Sequence, residues 1–178
     1  LTASGYGMAV SGESSSKAND TAGTIDEVQA GKVTAVMGGE VGYAIPLGSA
    51  FLIDVGAAFY SGEMRLRHNE LETSGKTVAF KVDDLVTYYI APTVVLSDTS
   101  SLYVKVGLTE ADIGVEGDIT TPGDLSGTTW AIGTRTVLDS GIFIRTEAGY
   151  TEYNGISAHG KGSSGGIASS TSYSAEPT

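Results

Sequence analysis

Six charged residues lie in stretches where apolar and polar residues alternate. Their spacing would place them on one face of a sheet, where opposite charges can form ion pairs. In SGIFIRTEAGYTEY, residues 140–153, the apolar Ile142 and Tyr150 fall on one parity, whereas Arg145 and Glu147 fall on the other. The full set comprises three anions and three cations: Glu40, Asp54, Lys105, Arg135, Arg145 and Glu147. Opposite charges on one face of a sheet can pair, and buried charge is tolerated only when it is paired. The pattern therefore predicts a structural ionic network.

Residues for covalent or metal chemistry are scarce. The chain has no cysteine, which excludes thiol nucleophiles and thiolate metal sites. Both histidines, His68 and His159, fall in polar segments outside the predicted strands, so no nucleophile and base can be placed together. The acidic stretch DIGVEGD, residues 112–118, lacks the residue order of a calcium loop. We predict that the protein is not an enzyme and uses no cofactor or metal.

Composition narrows the class of protein further. The 178 residues suit one domain over 1–178, and the 21 acidic against 10 basic side chains argue against a nucleic-acid surface. The 25 glycines and 4 prolines, with abundant Tyr, Thr, Val and Ser, point to β structure. No apolar run reaches the length of a transmembrane helix. No signal segment begins the chain, so we expect this sequence to be the mature form if the protein is exported.

Alternation with a period of two recurs along the chain and predicts seven strands of nine to fifteen residues. Each reaches the length of about nine to eleven residues that a tilted strand needs to cross a bilayer. The strands are expected at 3–11, 32–46, 50–61, 83–97, 101–109, 128–138 and 142–154. In the first strand we expect Tyr6 and Met8 to face outward, with Gly5 and Gly7 inward. In the fourth strand both faces are apolar, so the parity with Tyr88 outward is favoured but the opposite one stays open. A change of phase near Glu110 predicts a bulge or the end of the apolar zone.

Short and long connections alternate between these strands. The short turns are 46–49, 97–100 and 139–141, and the long polar segments are 12–31, 62–82, 110–127 and 155–178. A soluble meander has no reason to alternate in this way, whereas outer-membrane barrels have short periplasmic turns and long external loops. The alternation predicts an up-and-down antiparallel transmembrane β-barrel.

The pattern resembles the small eight-stranded bacterial outer-membrane barrels of the OmpX, OmpA and opacity-protein type. The local text FIRTEAGYTEYNGIS, residues 143–157, is similar to the R-x-E-x-x-Y-x-x-Y phrase of that family. The resemblance implies an outer-membrane location, contact with outer-membrane lipids and lipopolysaccharide, and a filled lumen. It also implies a surface role in envelope integrity, adhesion, or reception of host or phage proteins. The chain departs from the family because only seven strands are countable. The eighth strand is then either truncated or supplied from elsewhere.

Basic residues of one long segment could form an external binding surface. In the second long segment, Arg65, Arg67 and His68 lie close together and form a candidate partner surface for lipopolysaccharide phosphates or an acidic partner.

The alternative is a secreted or extracellular β protein, either a fibre or adhesin subunit completed by a neighbour's strand or a lipocalin-like carrier. A carrier would turn the apolar faces inward and put Glu40, Lys105, Arg135 and Glu147 in water.

Overall fold

The computed structural model describes residues 2–20, 23–62, 64–68, 78–116, 120–140, 142–162 and 172–177. In these ranges the chain forms an all-β structure, as the alternation predicts. Its strands are β1 (Thr2–Asp20), β2 (Gly23–Pro46), β3 (Phe51–Ser61), β4 (Met64–His68), β5 (Val78–Val95), β6 (Ser100–Glu116), β7 (Leu125–Val137), β8 (Phe143–Tyr153), β9 (Ile156–His159) and β10 (Ser172–Pro177). Among the same residues, no helix is long and apolar enough to cross a membrane.

The strands form one antiparallel sheet in the order β8-β7-β6-β5-β3-β2-β1-β10-β9, with β4 paired to β5 beside this path. From β8 to β1, each strand therefore lies beside its neighbour in the chain, apart from the inserted β4. At one end of the sheet the connections are short turns. Leu47 N donates to Phe51 O at 2.9 Å, Leu96 N to Ser100 O at 2.9 Å and Leu138 N to Ile142 O at 2.7 Å. The longer connections lie at the opposite end, termed the outer end.

The sheet is curled. Arg145 on β8 forms an ion pair with Glu40 on β2, although β7, β6, β5 and β3 lie between those strands in the sheet. Neighbouring strands are about 4.8 Å apart, so five steps across a flat sheet would separate these residues by roughly 24 Å. Their direct contact shows that the sheet encloses an interior into which both side chains point.

One side of the curled sheet remains open. At the outer end β9 follows β8 after two residues and pairs with β10, which pairs with β1 at Ser14–Asn19. Nearer the short turns, β1 has no neighbour on the side away from β2. No strand among the described residues pairs with it there over Thr2–Glu13. Nor does any described strand pair with β8 on the side away from β7. The described strands thus close the outer end and leave a strand edge on each side of the gap.

Several strands extend beyond their predicted limits. The segment 12–31, predicted as a loop, is a continuation of the β1–β2 hairpin. The segment 62–82 contains β4 and the start of β5, and 110–127 contains the end of β6 and the start of β7. In 155–178 the structure has β9 and β10. The polar composition of these segments predicts loops. They form strands because the hydrogen bonds of a β-ladder join backbone groups, and polar side chains at the outer end do not prevent this pairing.

The predicted irregularity near Glu110 lies on the neighbouring strand. Exposed and buried positions keep alternating on β6 through Ala111. The register between β5 and β6 shifts between Asp83 and Val86, and Asp84 has a φ of 47°. An extra residue in one strand produces such a shift, and Asp is among the few residues besides glycine that enter this left-handed region readily.

The faces of the strands follow the predicted parity except in β1. On β5, Tyr88 and Ile90 are exposed whereas Thr87 and Tyr89 are buried, so the favoured parity is correct. On β1 the prediction for the glycines is wrong. Gly5 and Gly7 lie opposite Gly39 and the outward Met37, and both are exposed. Directly opposite residues share a face, so the register with β2 decides the orientation, which side-chain size in β1 alone does not reveal.

Candidate functional site: the charged interior

The middle of the interior holds four of the six predicted charges. Lys105 Nζ lies 3.2 Å from Glu40 Oε2 and 2.7 Å from Glu147 Oε2. Arg145 Nη1 binds the other oxygen of Glu40. Glu40 and Lys105 are buried, with 6% and 2% of their surfaces exposed. Because each of these charges has an opposite partner, burial of the group is electrostatically balanced.

Two tyrosines support this group. Tyr103 donates its hydroxyl hydrogen to Glu147 Oε2 at 2.7 Å and accepts a hydrogen bond from Arg145 Nε at 3.3 Å. The guanidinium carbon of Arg145 also lies 4.3 Å from the centre of the Tyr103 ring, and Lys105 Nζ lies 4.5 Å from the centre of the Tyr89 ring. Both cations are therefore held by carboxylates and by aromatic faces, which limits their movement.

The remaining two charges form a second pair nearer the short turns. Arg135 Nη1 lies 3.3 Å from Asp54 Oδ2, and Thr93 Oγ1 donates to the same oxygen at 3.3 Å. Asp54 is buried on β3 and Arg135 reaches it from β7, with β5 and β6 between them in the sheet. This pair is a second contact across the interior.

The sequence reasoning missed a row of threonines on the outer side of the ionic group. Thr87, Thr109, Thr129 and Thr151 come from the neighbouring strands β5, β6, β7 and β8. Their hydroxyls follow one another at 2.7 Å, 2.5 Å and 2.7 Å. Beyond them, Val82, Ala111 and Leu125 form a small apolar cluster. The only signal in the sequence is a threonine at an inward position of each strand, and alignment of those positions depends on the register.

Glycines make room for the buried tyrosines. A Cβ on Gly42 or Gly56 would lie 2.9 Å or 2.7 Å from the Tyr89 hydroxyl, and a Cβ on Gly133 would meet the Tyr103 hydroxyl. Real Cβ atoms do not come this close to other heavy atoms, so these positions admit the rings only because they lack side chains.

The structure separates the two predicted groups of site residues. All six charged residues point inward and are joined in two clusters. Arg65, Arg67 and His68 lie on β4, which pairs with β5, and their side chains lie outside the described part of the structure. His159 is exposed on β9, where its backbone pairs with Thr120.

The chemistry available to the interior is ion pairing and hydrogen bonding. Most of its side-chain nitrogens and oxygens are engaged with one another, but the Tyr89 hydroxyl and Arg145 Nη2 are buried without a hydrogen-bond partner among the described residues. No described histidine forms a hydrogen bond with its hydroxyl groups. Within those ranges no group of three or more His, Cys, Asp or Glu is placed to hold a metal ion. The described side chains thus place ion-paired and hydrogen-bonded groups in the middle of the interior.

Comparisons with known proteins give a distant likeness of fold. No protein-family model matches the sequence, and no curated protein sequence matches it. One similar solved structure is Ail, the attachment invasion locus protein of Yersinia pestis, in complex with the heparin analogue sucrose octasulfate. It has 11% identity and a TM-score of 0.39, over 96% of this chain and 93% of that one. A second structure of Ail has 10% identity and a TM-score of 0.36 over the same shares.

Proposed function

We propose that the protein is an integral β-barrel of the bacterial outer membrane, of the structural and surface-display type. Its filled interior makes it a scaffold rather than an open channel or an enzyme, and its outer end presents the surface that meets partners. The observation that carries this proposal is the inverted distribution of polarity, with charged residues inside and large apolar residues outside.

The outward face of the sheet carries a continuous set of large apolar side chains. They include Met37, Val41, Tyr43, Ile45, Phe51, Phe59, Tyr88, Ile90, Val94, Leu102, Val104, Leu108, Trp130, Ile132, Ile144 and Tyr150. They come from every strand between β2 and β8 except the short β4. Soluble monomers rarely expose apolar patches larger than a few hundred Å². Contact with lipid removes this surface from water, and the strands that lie between β1 and β8 in the sheet pair on both sides along most of their length, as a membrane-spanning sheet requires.

The alternative of a lipocalin-like carrier is not favoured. A carrier keeps its apolar face inward to line a ligand cavity, whereas this interior contains Glu40, Lys105, Arg145 and the other charges. A secreted fibre subunit is also disfavoured, because it would expose to water the large apolar side chains of the outward face, termed the apolar belt. Outer-membrane lipids and lipopolysaccharide are therefore the proposed surroundings of the belt.

The only tryptophan provides the test of membrane insertion. Trp130 is 54% exposed on the outward face of β7, so in a bilayer its indole should contact acyl chains. We expect strong quenching of its fluorescence in vesicles with brominated acyl chains, and gel migration that changes on heating. Iodide in the aqueous phase serves as the control quencher and should have little effect. A monomer that stays in solution without detergent, with Trp130 quenched by iodide alone, would refute the proposal.

The external partner surface is proposed to include β4 and the connection that follows it. β4 pairs with β5 at the outer end, through Arg65 opposite Lys81 and Arg67 opposite Ala79. Two arginines on so short a strand suit lipopolysaccharide phosphates or an acidic host or phage protein, since guanidinium groups bind such oxygens in pairs.

Replacement of residues 63–78 by a short Gly-Ser turn is expected to leave the barrel folded and to abolish adhesion. The ionic interior lies outside this segment, so heat-dependent gel migration should be unchanged. Adhesion of bacteria carrying the protein to cultured cells is the measurement. The double variant Arg65→Ser with Arg67→Ser keeps the backbone and serves as the matched test of charge. Unchanged adhesion in both variants, or loss of folding in the first, would show that the surface is misassigned.

A further inference from the structure

Two strand edges face each other across the gap in the sheet. Among the residues that the structure describes, β1 has no neighbour over Thr2–Glu13 on the side away from β2, and β8 has none over Phe143–Tyr153 on the side away from β7. A strand edge presents a row of unpaired backbone N–H and C=O groups. Lipid chains cannot pair with these groups, which are costly to leave unsatisfied in hydrocarbon. In a membrane the gap therefore requires an occupant with backbone donors and acceptors.

The gap has the width of one strand. At the outer end β10 lies between β1 and β9 and pairs with both of them. Neighbouring strands are about 4.8 Å apart, so β1 and β9 are separated by roughly 10 Å at this level. β8 leads into β9 after two residues, and its free edge continues the edge of β9 that pairs with β10. The space between β1 and β8 nearer the short turns therefore lies in line with β10.

The gap also uncovers part of the ionic group. Glu147 binds Lys105, yet 29% of its side chain is exposed, against 5% for Glu40 in the same group. Gly149, the next inward residue of β8, is exposed as well. Both residues belong to the edge strand, so a further strand beside β8 would cover them. An occupant of the gap would thus separate the charged interior from the membrane.

The existing ladders set the direction of the occupant. Each pair of neighbouring strands from β8 to β1 is antiparallel, so β1 and β8 run in the same direction and one strand can be antiparallel to both. β10 already runs in this direction, and its pairing with β1 ends at Pro177 opposite Ser14. On β1 the outward residues beside the gap are small and exposed, namely Ala3, Gly5 and Gly7. Large apolar side chains on the occupant could lie over them, since opposite residues share a face.

We propose that the gap between β1 and β8 is a binding site for one extended polypeptide strand, antiparallel to both and in line with β10. Strand edges recognise such a partner through main-chain hydrogen bonds. Its outward residues are large and apolar, and its inward residues are small or polar because they face the ionic group. This inference rests on the proposed membrane role and gives the wall of the barrel a strand-acceptor site. A second copy of the protein cannot fill the gap, since each of its edge strands already pairs on one side.

The test maps the register with a disulfide, which the cysteine-free chain makes selective. The probe is a synthetic peptide of about eleven residues, designed to lie opposite Thr2–Gly12, with Leu at outward and Ser at inward positions. Counted from the residue opposite Gly12, its sixth residue lies opposite Gly7 in the register that β10 sets. With Cys at this sixth position, the peptide should form a disulfide with the Gly7→Cys variant of the full chain when both are refolded into lipid vesicles. A peptide with Cys at the seventh position directs it to the interior and should give about tenfold less product.

Met37→Cys is the matched control. Met37 lies directly opposite Gly7 on β2 and is exposed on the same face, but it is one strand farther from the gap. Two strand spacings, about 9.6 Å, exceed the reach of a disulfide, so we expect no product. A peptide with the same sequence and N-methylated backbone cannot donate to either edge, and its yield with Gly7→Cys should fall about tenfold.

Three results would overturn the inference. One is an equal yield with Gly7→Cys and Met37→Cys, or with the normal and the methylated peptide. Another is a disulfide-linked dimer of Gly7→Cys in place of the peptide adduct, which would assign the β1 edge to a second copy. The third is the absence of any adduct while Trp130 is still quenched by brominated lipid, which would leave the proposed membrane role in place. Loss of that quenching would instead refute the membrane role itself.

Discussion

Gly133→Ala is expected to destabilise the protein strongly, although it adds only one methyl group. The new Cβ would overlap the hydroxyl and ring of Tyr103 and would lie 2.6 Å from the backbone oxygen of Thr146. Tyr103 is only 2% exposed and is held by Glu147 and Arg145, so its ring cannot move aside without breaking the ionic group. Overpacking of a dense interior costs roughly 1–3 kcal/mol and sometimes more, and we expect the upper end of this range.

The measurement is the urea midpoint of unfolding in lipid vesicles, followed by Trp130 fluorescence. Gly7→Ala is the control, since it adds the same methyl group to a strand where nothing lies within 4 Å. Addition of Tyr103→Leu to Gly133→Ala should restore part of the loss, because the shorter side chain removes the overlap. A midpoint for Gly133→Ala equal to that of Gly7→Ala would show that Tyr103 does not occupy this place.

Glu40→Gln is expected to destabilise the protein by about 3–5 kcal/mol, the usual cost of breaking a buried ion pair from one side. Glu40 contacts both Lys105 and Arg145, so its neutralisation leaves two buried cations with one carboxylate between them. The expected result is a large fall in the free energy of unfolding, or failure to refold from urea. Equilibrium unfolding in lipid vesicles measures it.

A double variant distinguishes charge imbalance from loss of packing. In Glu40→Gln with Lys105→Met, the remaining Glu147 and Arg145 are equal and opposite, and we expect more than half of the lost stability to return. Glu152→Gln is the matched control, because Glu152 is exposed on β8 and its replacement removes the same charge. If Glu40→Gln is no worse than Glu152→Gln, the interior charges are hydrated and the ion pairs contribute little.

Much of the fold could be predicted from alternation alone. A period of two places Ile144 and Arg145 on opposite faces of any strand that contains them, whatever its neighbours are. The same rule predicts the inward positions of Asp54, Lys105 and Arg135, and the short turns predict which strands are adjacent. The assignment of β1 fails because it rests on the small size of Gly5 and Gly7, whereas their face depends on pairing with β2.

The sequence by itself determined the β class, the order of β2, β3, β5, β6, β7 and β8, and the set of charges on one face. These properties are local, because alternation and turn residues act over a few positions of the chain. Only the tertiary structure decided that Arg145 meets Glu40, that four threonines form a row, that Gly133 admits Tyr103, and that β3 pairs with β2 only as far as Ser61. Each of these depends on register and curvature. A shift of one residue in pairing reverses every side chain, and contact across the interior requires the sheet to curl, which no local pattern specifies.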